Sequence, residues 1–470
     1  MLANFRSASR LLYPGLGLKR WLAPLLVGLV VLGLGIGFFL RELYADITYP
    51  TLLRYLLLQD WPRWVRGTIL SILGLSIVGY SLFQLNKILL EAFLPDQATV
   101  SYVAEQLYRQ RRRPRDGPKV VVIGGGTGLS VLLSGLKQHT DNITAIVTVA
   151  DDGGSSGKLR QELGVLPPGD FRNCIAALAD DEALTTQLFQ YRFRSGGLEG
   201  HSFGNLFITA MAGVTGSFER ALYESGRVLN IRGTILPSTL ENVTLFAEVN
   251  EGQATRKVEG ESAIPEAKLP IERVYIQPDT PRAFPPVLQS LLNADLIVTG
   301  PGSLYTSIIP NLLIPEIVTA IRASNALKIY ICNVATQPGE TDHYSLDDHV
   351  QVIEAHTQTA GLYLEELAGI ENGQTLQHSR NGVYLDRFEQ DRSIIRNKRK
   401  PLFEYVLANN NQRYAIPSEM SHLQPISASY PEGIGYRVIG ADVVDEQHPW
   451  RHDATKLANQ LMHWYKKTKQ

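Results

Sequence analysis

Cysteine is almost absent from this chain of 470 residues, since only Cys174 and Cys332 occur. Two cysteines exclude a disulfide-stapled scaffold and a cysteine-rich zinc site, and they fit a reducing compartment. Charged residues are also scarce, at 19% of the chain, against about 25% in an ordinary soluble domain. A hydrophobic content of 44% excludes a largely disordered chain and indicates that part of it avoids water.

Common catalytic signatures are missing too. The sequence has no Ser-His-Asp order, no His-Glu-x-x-His and no Cys-x-x-Cys, so nothing in it identifies a nucleophile. A basic surface over the whole chain is also absent, because residues 1–119 hold 15 Lys/Arg against 7 Asp/Glu while the remainder holds 30 against 39. A basic front and an acidic body argue against nucleic acid as a partner.

Two long uncharged runs lie in the basic front, Leu22–Leu40 and Gly67–Phe83, and the second extends to about residue 86. A helix of about 20 residues crosses roughly 30 Å of hydrocarbon, so each run is long enough to span a membrane. A signal peptide is the alternative for the first run, but no small-x-small cleavage site follows it. We predict a two-helix transmembrane hairpin within residues 1–90.

Eleven lysine and arginine residues flank this hairpin, whereas four lie in the loop between its two runs. This bias predicts a location in the cell inner membrane with both termini cytoplasmic. Residues 91–118 are predicted to be a basic linker, in which the run 111–115 is a clamp on lipid headgroups. Gly33 and Gly37 have the spacing of a helix-packing face, which leaves a homodimer open.

From residue 119 to residue 470, short apolar runs alternate with Gly-rich turns and helical periods, the first helix being predicted over about Leu129–Gln138. Such alternation predicts an α/β fold with a Rossmann-like, mostly parallel sheet and helices on both faces. Between Ile231 and Tyr275 we predict a small β excursion, and residues 366–400 are predicted to be a surface insertion. The predicted parallel strands are Val120–Ile123, Ile143–Val149, Leu296–Thr299, Ile329–Cys332 and Tyr405–Ala408.

Ligands of such sheets bind in the crevice beyond the carboxyl ends of the strands. The first strand leads there into the run Gly124, Gly125, Gly126, Thr127 and Gly128. A glycine turn before a helix lets backbone N–H groups and the positive helix end approach a phosphate. The run is not a Walker A loop, because no Gly-Lys-Ser/Thr follows, and it lacks the third glycine of the dinucleotide fingerprint. A tight turn needed only for packing is the alternative.

Acidic and polar residues follow the second predicted strand. Asp151 and Asp152 lie where carboxylates accept from ribose hydroxyls or hold a hard cation, unless they only cap the next turn. Asp170 is predicted to be the N-cap of a helix. Arg172 and Asn173 then fall in the first turn of that helix, where an anion collects.

Two further loops complete the predicted binding rim. The stretch from His201 to Asn205 is a loop-to-helix entry, in which His201 has a structural role or a binding role. After the third strand, rigid backbone donors and hydroxyls without fixed positive charge precede a helix, which suits a diphosphate. The candidate residues there are Gly300, Gly302, Ser303, Tyr305, Thr306 and Ser307. Asn333, with Thr341 and Asp342, extends the same rim.

Six motifs in this order resemble the YvcK-like gluconeogenesis-factor family, within the superfamily of 2-phospho-L-lactate transferase (CofD-like). They are Gly124–Leu129, Asp151–Gly157, Pro168–Asn173, His201–Asn205, Gly300–Ser307 and Gln337–Asp342. The resemblance covers roughly residues 119–468 and implies a Rossmann-like fold with a site for a nucleotide diphosphate. For the transferase branch it implies movement of a phospholactyl group from a guanosine-linked donor to a deazaflavin precursor, with Mg²⁺ at acidic residues.

The stretches Asp151–Gly157 and His201–Asn205 resemble the regulatory branch of the family. That branch implies a protein that binds UDP-N-acetylglucosamine, requires no cofactor and influences carbon metabolism, cell-wall synthesis and cell shape. The resemblance also implies that Tyr414 stacks on uracil and that Arg451 pairs with diphosphate oxygens. The hairpin and the insertion depart from the family pattern, and the insertion leaves the register of Tyr414 open.

Three functions stay open on the sequence. The first is a membrane-anchored UDP-sugar sensor without turnover, with cell-wall synthesis proteins as partners. The second is a phospholactyl transferase, in which Asp151, Asp152 and Mg²⁺ stabilise charge on the transferred phosphoryl group. The third is a wall-assembly scaffold that needs no ligand.

Overall fold

The computed structural model describes residues 117–179, 183–252, 254–371, 401–430 and 435–469, with the isolated positions 33, 37, 62, 65 and 72. The chain divides into two compact units, Met1–Arg113 and Pro114–Gln470. The predicted hairpin and basic linker therefore lie outside the described residues, apart from these isolated positions. Among them, Gly33 and Gly37 are helical and exposed.

In the described residues of the second unit, ten β-strands form two sheets. The strands are β1 Val120–Gly124, β2 Ile143–Val147, β3 Thr234–Pro237, β4 Thr244–Asn250, β5 Thr255–Glu259, β6 Ile271–Gln277, β7 Leu296–Thr299, β8 Leu327–Ile331, β9 Tyr405–Asn409 and β10 Arg437–Ala441. Seven of them make a parallel sheet in the order β10-β9-β8-β7-β1-β2-β3. Every residue of the central β1 is buried, as expected for a parallel strand covered on both faces.

The chain order reverses between β1 and β7. From β1 the chain adds β2 and β3 on one side, and from β7 it adds β8, β9 and β10 on the other. Because parallel crossovers are right-handed, the helices of the two halves cover opposite faces of the sheet. The loops after β1 and β7 therefore leave in opposite directions from neighbouring strands, which opens a crevice at this switch point.

Helices cover both faces of the parallel sheet. They are α1 Gly126–Leu136, α2 Gly154–Leu163, α3 Gly169–Leu178, α4 Ala183–Gln190, α5 Phe203–Thr215, α6 Phe218–Val228, α7 Ala263–Glu266, α8 Pro285–Leu292, α9 Ile309–Leu312, α10 Pro315–Ala323, α11 Leu346–Glu371 and α12 Ala454–Thr468. A π-helical turn, Leu304–Ile308, leads into α9. Helices α3 and α12 pack against α1, whereas α8 and α11 pack against α10. The predicted α/β class with helices on both faces is confirmed.

The predicted β excursion is also present, as a three-stranded antiparallel sheet in the order β5-β4-β6. Its β4 is buried along most of its length. The turn that follows β5 carries Gly260, Glu261 and Ser262. The backbone N–H of Ser262 donates to Asp152 Oδ1 at 2.9 Å. The small sheet is thereby tied to the carboxyl edge of the large one, beside the end of β2.

Three expectations about element bounds need correction. Helix α1 begins at Gly126, three residues before the predicted start. Asp170 lies in the first turn of α3, whose N-cap is Pro168. Residues 366–371, predicted to open a surface insertion, continue the helix α11, and the rest of that insertion lies outside the described residues.

Within the described part of the chain, no single helix combines the length and hydropathy needed to cross a bilayer. One pair, Leu304–Leu312 and Pro315–Ala323, meets that criterion only when the two are taken together across a bend of 74°. Most of the side chains in this pair are buried in the core of the second unit.

Candidate functional site

The glycine turn after β1 is packed on both sides by other loops. Gly126 has a φ of +65°, which favours glycine. A Cβ placed on Gly125 would lie 2.6 Å from Asp170 Oδ2, and one on Gly128 would lie 2.6 Å from the carbonyl oxygen of Pro301. These glycines are therefore needed for close approach. They are needed for packing, which was the alternative explanation of the turn, whether or not a ligand also binds there.

The loop after β7 is fixed by the residue that follows β8. Asn333 Oδ1 accepts from the N–H of Gly302 at 3.2 Å, and Asn333 Nδ2 donates to the carbonyl of the same glycine at 2.9 Å. Gly302 also approaches the glycine turn, because its Cβ position is 3.2 Å from the carbonyl oxygen of Gly125. The turns after β1, β7 and β8 thus converge at the carboxyl edge, as the sequence predicted.

The π-helical turn after this loop already holds an anionic group from the protein itself. Glu340 Oε2 accepts from the N–H of Tyr305 at 3.3 Å, and Oε1 accepts from Thr306 Oγ1 at 3.2 Å. The Glu340 side chain is buried, and burial raises its pKa to about 7 even though bonds from Tyr305, Thr306 and Ser303 favour the carboxylate. This carboxyl group takes the donors that the sequence analysis assigned to a diphosphate.

Ser303, Tyr305 and Thr306 were predicted to contact a diphosphate, but in the structure their side chains contact other protein groups. Ser303 Oγ accepts from Gln337 Nε2 at 2.7 Å. The Tyr305 side chain is only 1% exposed, and its hydroxyl lies 2.8 Å from the Tyr344 hydroxyl. Thr306 is buried against Glu340, as described above. Tyr305 and Thr306 therefore belong to the interior and support the rim from below, whereas Ser303 is half-buried and bonded to Gln337.

Ser307 is the member of this run that lies beside the glycine turn. Its Oγ is 3.6 Å from the position of a Cβ on Gly126. Asn311, one helical turn later, donates through Nδ2 to the carbonyls of Ser307 at 2.8 Å and Gly124 at 3.2 Å. This amide links the end of β1 to the π-helical turn across 187 residues of sequence.

The adjacent aspartates after β2 point to different partners. Asp151 Oδ1 accepts from the N–H of Gly153 at 2.8 Å, whereas Asp152 accepts from Ser262 in the small sheet. Asp151 therefore caps the following turn, which was the alternative to a ligand role, whereas Asp152 bonds to a loop 110 residues later in the chain. Burial raises the pKa of Asp151, although bonds from Gly153 and Ser156 oppose the rise.

Asp170 bonds to the glycine turn instead of capping its own helix. The N–H of Gly126 donates to its carboxylate. Burial, with repulsion from Asp151, raises the pKa of Asp170 to about 6, although Gly126 and Arg172 oppose the rise. One N–H group at the start of α1 is thus already satisfied by a carboxylate. The exposed Thr127 follows in the same turn.

Glu261, which the sequence analysis did not single out, faces the same carboxylates from the small sheet. Burial, reinforced first by Asp151 and Asp170, raises the pKa of Glu261 to about 8. Glu340 and Asp152 add to this effect. Five acidic side chains therefore lie around the glycine turn, because Glu261 and Glu340 join the three aspartates that the sequence already indicated.

These acidic side chains do not form a ready-made metal centre. Across residues 117–469, as far as they are described, no group of three or more His, Cys, Asp or Glu side chains is arranged to hold a metal ion. One carboxylate oxygen of each aspartate already accepts a hydrogen bond from a backbone N–H, that of Gly153 for Asp151 and that of Ser262 for Asp152. The pair predicted as Mg²⁺ ligands therefore does not fit a preformed cation site.

The first turn of α3 brings a cation to this acidic edge. Arg172 Nη2 donates to Asn173 Oδ1 at 2.8 Å, while the buried Nε has no hydrogen-bond partner. Burial lowers the pKa of Arg172, Arg192 lowers it further, and Asp170 opposes the change. Arg172 and Asn173 thus lie together, as predicted, with one guanidinium donor unused.

His201 and Asn205 meet at a serine of α2. Ser155 Oγ is 3.0 Å from His201 Nδ1 and accepts from Asn205 Nδ2 at 3.1 Å. Ser202 caps α5 by accepting from the N–H of Asn205 at 3.3 Å. All of these side chains are buried. The loop-to-helix entry is confirmed, and the bonds of His201 join α2 to α5.

Tyr414 and Arg451 lie on the connections that leave β9 and β10. The Tyr414 ring is 37% exposed, and Lys456 Nζ lies 5.9 Å from its centroid. Arg451 is exposed, and its carbonyl accepts from the N–H of Asp445 at 2.9 Å. The two residues share the carboxyl edge with the glycine turns, but β9 is three strands from β1, or about 14 Å.

Comparison with known proteins agrees with this arrangement of loops and strands. The family model described as "2-phospho-L-lactate transferase CofD" matches residues 120–428. A Nostoc protein described as a gluconeogenesis factor is 41% identical over 463 residues, which is 97% of this chain and 92% of the relative. The chain belongs to the CofD family, in its gluconeogenesis-factor group.

Two further relatives place the second unit within the same family. The gluconeogenesis factor of Bacillus subtilis is 54% identical over 240 residues, covering 51% of this chain and 75% of the relative. A crystal structure of a upf0052-family protein from Bacillus halodurans is 39% identical, with a TM-score of 0.61 over 74% of this chain and 99% of the other. The resemblance found in the sequence motifs is therefore confirmed.

Proposed function

We propose that this family member binds UDP-N-acetylglucosamine at the carboxyl edge of the parallel sheet. In this proposal it acts as a regulator of carbon metabolism, cell-wall synthesis and cell shape. The observation that carries the proposal is the position of two glycine turns, Gly124–Gly128 and Gly300–Gly302, at the switch point between β1 and β7. Nucleotides of doubly wound sheets bind in the crevice at such a point.

The diphosphate is assigned to the first turn of α1. The first N–H groups of a helix have no partner within it, and the helix dipole makes this end positive. Thr127 is exposed there, and Gly126 and Gly128 are half-buried. The π-helical turn is not available for the same purpose, because Glu340 occupies its donors. The bound phosphates would therefore lie closer to β1 than to β7.

The acidic neighbours make this binding dependent on pH. A diphosphate is repelled by ionised carboxylates, and Arg172 is the cation beside them. Glu261 keeps its proton until its pKa of about 8. We therefore expect affinity for the nucleotide-sugar to be higher below pH 8 than above it. A ligand that carries a divalent cation would show a weaker dependence, since the cation offsets the same repulsion.

Tyr414 and Arg451 are assigned to the nucleotide end of the ligand. Both lie at the carboxyl edge, beyond β9 and β10, so a ligand that begins at β1 has to extend along the edge to reach them. The half-exposed ring of Tyr414 is available for stacking on uracil. The sequence resemblance pairs Arg451 with diphosphate oxygens, but with the diphosphate at α1 we assign its exposed guanidinium to the nucleotide instead.

Titration calorimetry of the full-length chain with UDP-N-acetylglucosamine tests the proposal. We expect saturable heat in the wild type and affinity at least about tenfold weaker in Gly126→Val, because a branched side chain resists the φ of +65°. Gly213→Ala is the matched control, since a Cβ there has no neighbour within 4 Å. Absence of heat at millimolar ligand, or equal affinity in Gly126→Val, would sink the proposal.

The membrane anchor remains a proposal from the sequence of residues 1–90. Its support is the pair of uncharged runs, Leu22–Leu40 and Gly67–Phe83, with flanking cations. We expect the full-length chain to stay with the membrane fraction after an alkaline carbonate wash. Release of the chain by that wash would show that the two runs do not span the bilayer.

A phospholactyl transferase is the second candidate function. The observations that favour it are the description of the matched family model and the acidic side chains around the glycine turn. Incubation with a guanosine-linked phospholactyl donor and a deazaflavin acceptor distinguishes the two functions. Turnover that is lost in Asp152→Ala would establish the transferase, whereas nucleotide-sugar binding without any turnover would leave the regulator.

A further inference from the structure

A cavity of about 1010 Å³ opens at the amino edge of the parallel sheet, where β8, β9 and β10 begin. It is remote from the glycine turns. Lys328, which lines it, is the second residue of β8, whereas Asn333 of the carboxyl edge follows the end of that strand. Five residues of strand separate the two ends by about 16 Å.

The charged side chains that line this cavity are mainly cationic. Among the lining residues that the structure describes, Arg322, Lys328 and Arg437 carry positive charge, and Glu404 carries negative charge. Lys328 Nζ lies 3.8 Å from Glu404 Oε1 and donates to the carbonyl of Ser324 at 2.7 Å. Arg437 is exposed, and no described residue forms a hydrogen bond with its guanidinium. The described part of the lining therefore has an excess of positive charge.

Arg322 has unused donors. Its Nε and Nη2 atoms are buried and have no hydrogen-bond partner. These two nitrogens form the edge of the guanidinium that binds a carboxylate or phosphate through two parallel bonds. Glu354 is an acidic neighbour, but its Oε1 accepts from the N–H of Leu402 at 2.6 Å. Buried donors without acceptors are unfavourable, so an anion here would remove a cost.

The position of Arg322 alone has a simpler explanation. It lies in the last turn of α10, where a cation interacts favourably with the helix dipole. This explanation does not extend to Lys328 and Arg437, which lie on strands. It also does not account for a cavity as large as known small-molecule sites, roughly 300–1,000 Å³.

We propose that this cavity is a second ligand site, which binds the phosphate group of a small molecule. A phosphate offers the pair of oxygens that the side-on edge of Arg322 matches, and Arg322 is itself partly exposed. Because Nε and Nη2 are buried in the structure, the proposal requires the guanidinium to rotate about its terminal torsions so that this edge reaches the cavity. Lys328 and Arg437 supply further positive charge on the strands. The proposal is independent of nucleotide-sugar binding at the carboxyl edge.

Calorimetric titration of the full-length chain with inorganic phosphate and with glycerol 3-phosphate, at constant ionic strength, tests the site. We expect saturable millimolar binding that weakens by about tenfold in Arg437→Gln, because a charged donor is lost. Glu404→Gln, at a side chain that is 53% exposed, removes repulsion and is expected to tighten binding by about threefold.

The opposite signs of these two effects separate electrostatics from damage to the fold. Arg227→Gln is the matched control, because Arg227 is an exposed cation on α6 paired with Glu224, away from the lining residues. Its affinity should equal that of the wild type. The proposal is overturned if the wild type shows no saturable binding, if Arg437→Gln binds like the wild type, or if Glu404→Gln binds more weakly. Equal affinity in Arg437→Gln would place any phosphate at another site.

Discussion

The two edges of the parallel sheet carry opposite charge. At the carboxyl edge, Asp151, Asp170, Glu261 and Glu340 surround the glycine turn, and burial raises the pKa of each. At the amino edge, arginine and lysine line an open cavity. In a parallel α/β sheet the helices begin at the first edge and end at the second. Helix dipoles attract anions to their beginnings and cations to their ends, which explains much of this division.

Two charged residues, Glu261 and Arg437, are not explained by the helix dipoles and therefore indicate where a ligand would bind. Asp170 and Glu340 accept hydrogen bonds at helical N-termini, so the helices account for them. Glu261 lies in the turn after β5 and receives no hydrogen bond from any described residue. Arg437 begins the strand β10. The helix dipoles predict neither residue. Glu261 is repelled by neighbouring carboxylates, and Arg437 lines the same cavity as two other cations. Such an arrangement is expected where a ligand of opposite charge, or a proton, completes the site.

The largest effect that we expect comes from the packing of the carboxyl edge. In Gly128→Ala the new Cβ lies 2.6 Å from the carbonyl oxygen of Pro301, and that loop cannot yield easily because Asn333 holds Gly302. We expect the free energy of unfolding to fall by on the order of 3 kcal/mol.

Gly213→Ala is the control for this substitution, since Gly213 is also helical but has open space around it. Here the free energy of unfolding should rise by up to about 1 kcal/mol, because alanine favours the helix. Denaturant unfolding of both variants gives the comparison. Similar losses in the two variants would show that the glycine turn is not specially constrained.

The strands of the parallel sheet could largely be predicted, because buried parallel strands are continuous apolar runs. Two of them were missed. Thr234–Pro237 ends in a proline and was grouped with the β excursion, and Arg437–Ala441 contains an arginine and a glycine. Both are edge strands of the sheet. An edge strand needs less apolar sequence, so the pattern that identifies central strands is weaker there.

The residues of the candidate site could be predicted only where they form a contiguous motif in the sequence. The glycine turns are recognisable as motifs in the sequence, whereas Glu261 and Glu340 are single acidic residues that belong to no motif. They reach the site through contacts between distant segments, such as the bond from Ser262 to Asp152 across 110 residues. The start of α1 was missed for a related reason. Glycine is a poor helix former, but the Asp170 carboxylate accepts a hydrogen bond from the N–H of Gly126 at the helix start, which favours the first turn.

A medium effect is expected from removing the charge of Glu261. Its pKa is 4.5 in the unfolded chain and about 8 in the folded protein. Between these values the folded state holds a proton that the unfolded state has released, so the free energy of unfolding falls as pH rises. This loss is complete above about pH 8 and absent below about pH 4.5. Glu261→Gln removes the ionisation and should flatten the profile.

Above pH 8, we expect Glu261→Gln to be more stable than the wild type by about 2 kcal/mol, after allowance for partial exposure. Below pH 4.5 the two proteins should unfold with similar free energies. Glu259→Gln, at an exposed position on β5, serves as the control and should leave the whole profile unchanged. If the free energy of unfolding of Glu261→Gln depended on pH in the same way as that of the wild type, ionisation of Glu261 would not destabilise the carboxyl edge.

The smallest effect compares two asparagines at the two ends of β8. Asn333, at the carboxyl edge, exchanges two hydrogen bonds with the backbone of Gly302. Asn325, at the amino edge, is exposed, and its side chain has no hydrogen bond to any described residue. We expect Asn333→Ala to lower the free energy of unfolding by about 1 kcal/mol, and Asn325→Ala to change it by less than about 0.5 kcal/mol. Denaturant unfolding measures both. If the two variants lost the same free energy of unfolding, an asparagine would contribute equally at either end of β8. That result would contradict the difference proposed here, in which hydrogen bonds fix the carboxyl edge and the amino edge is open.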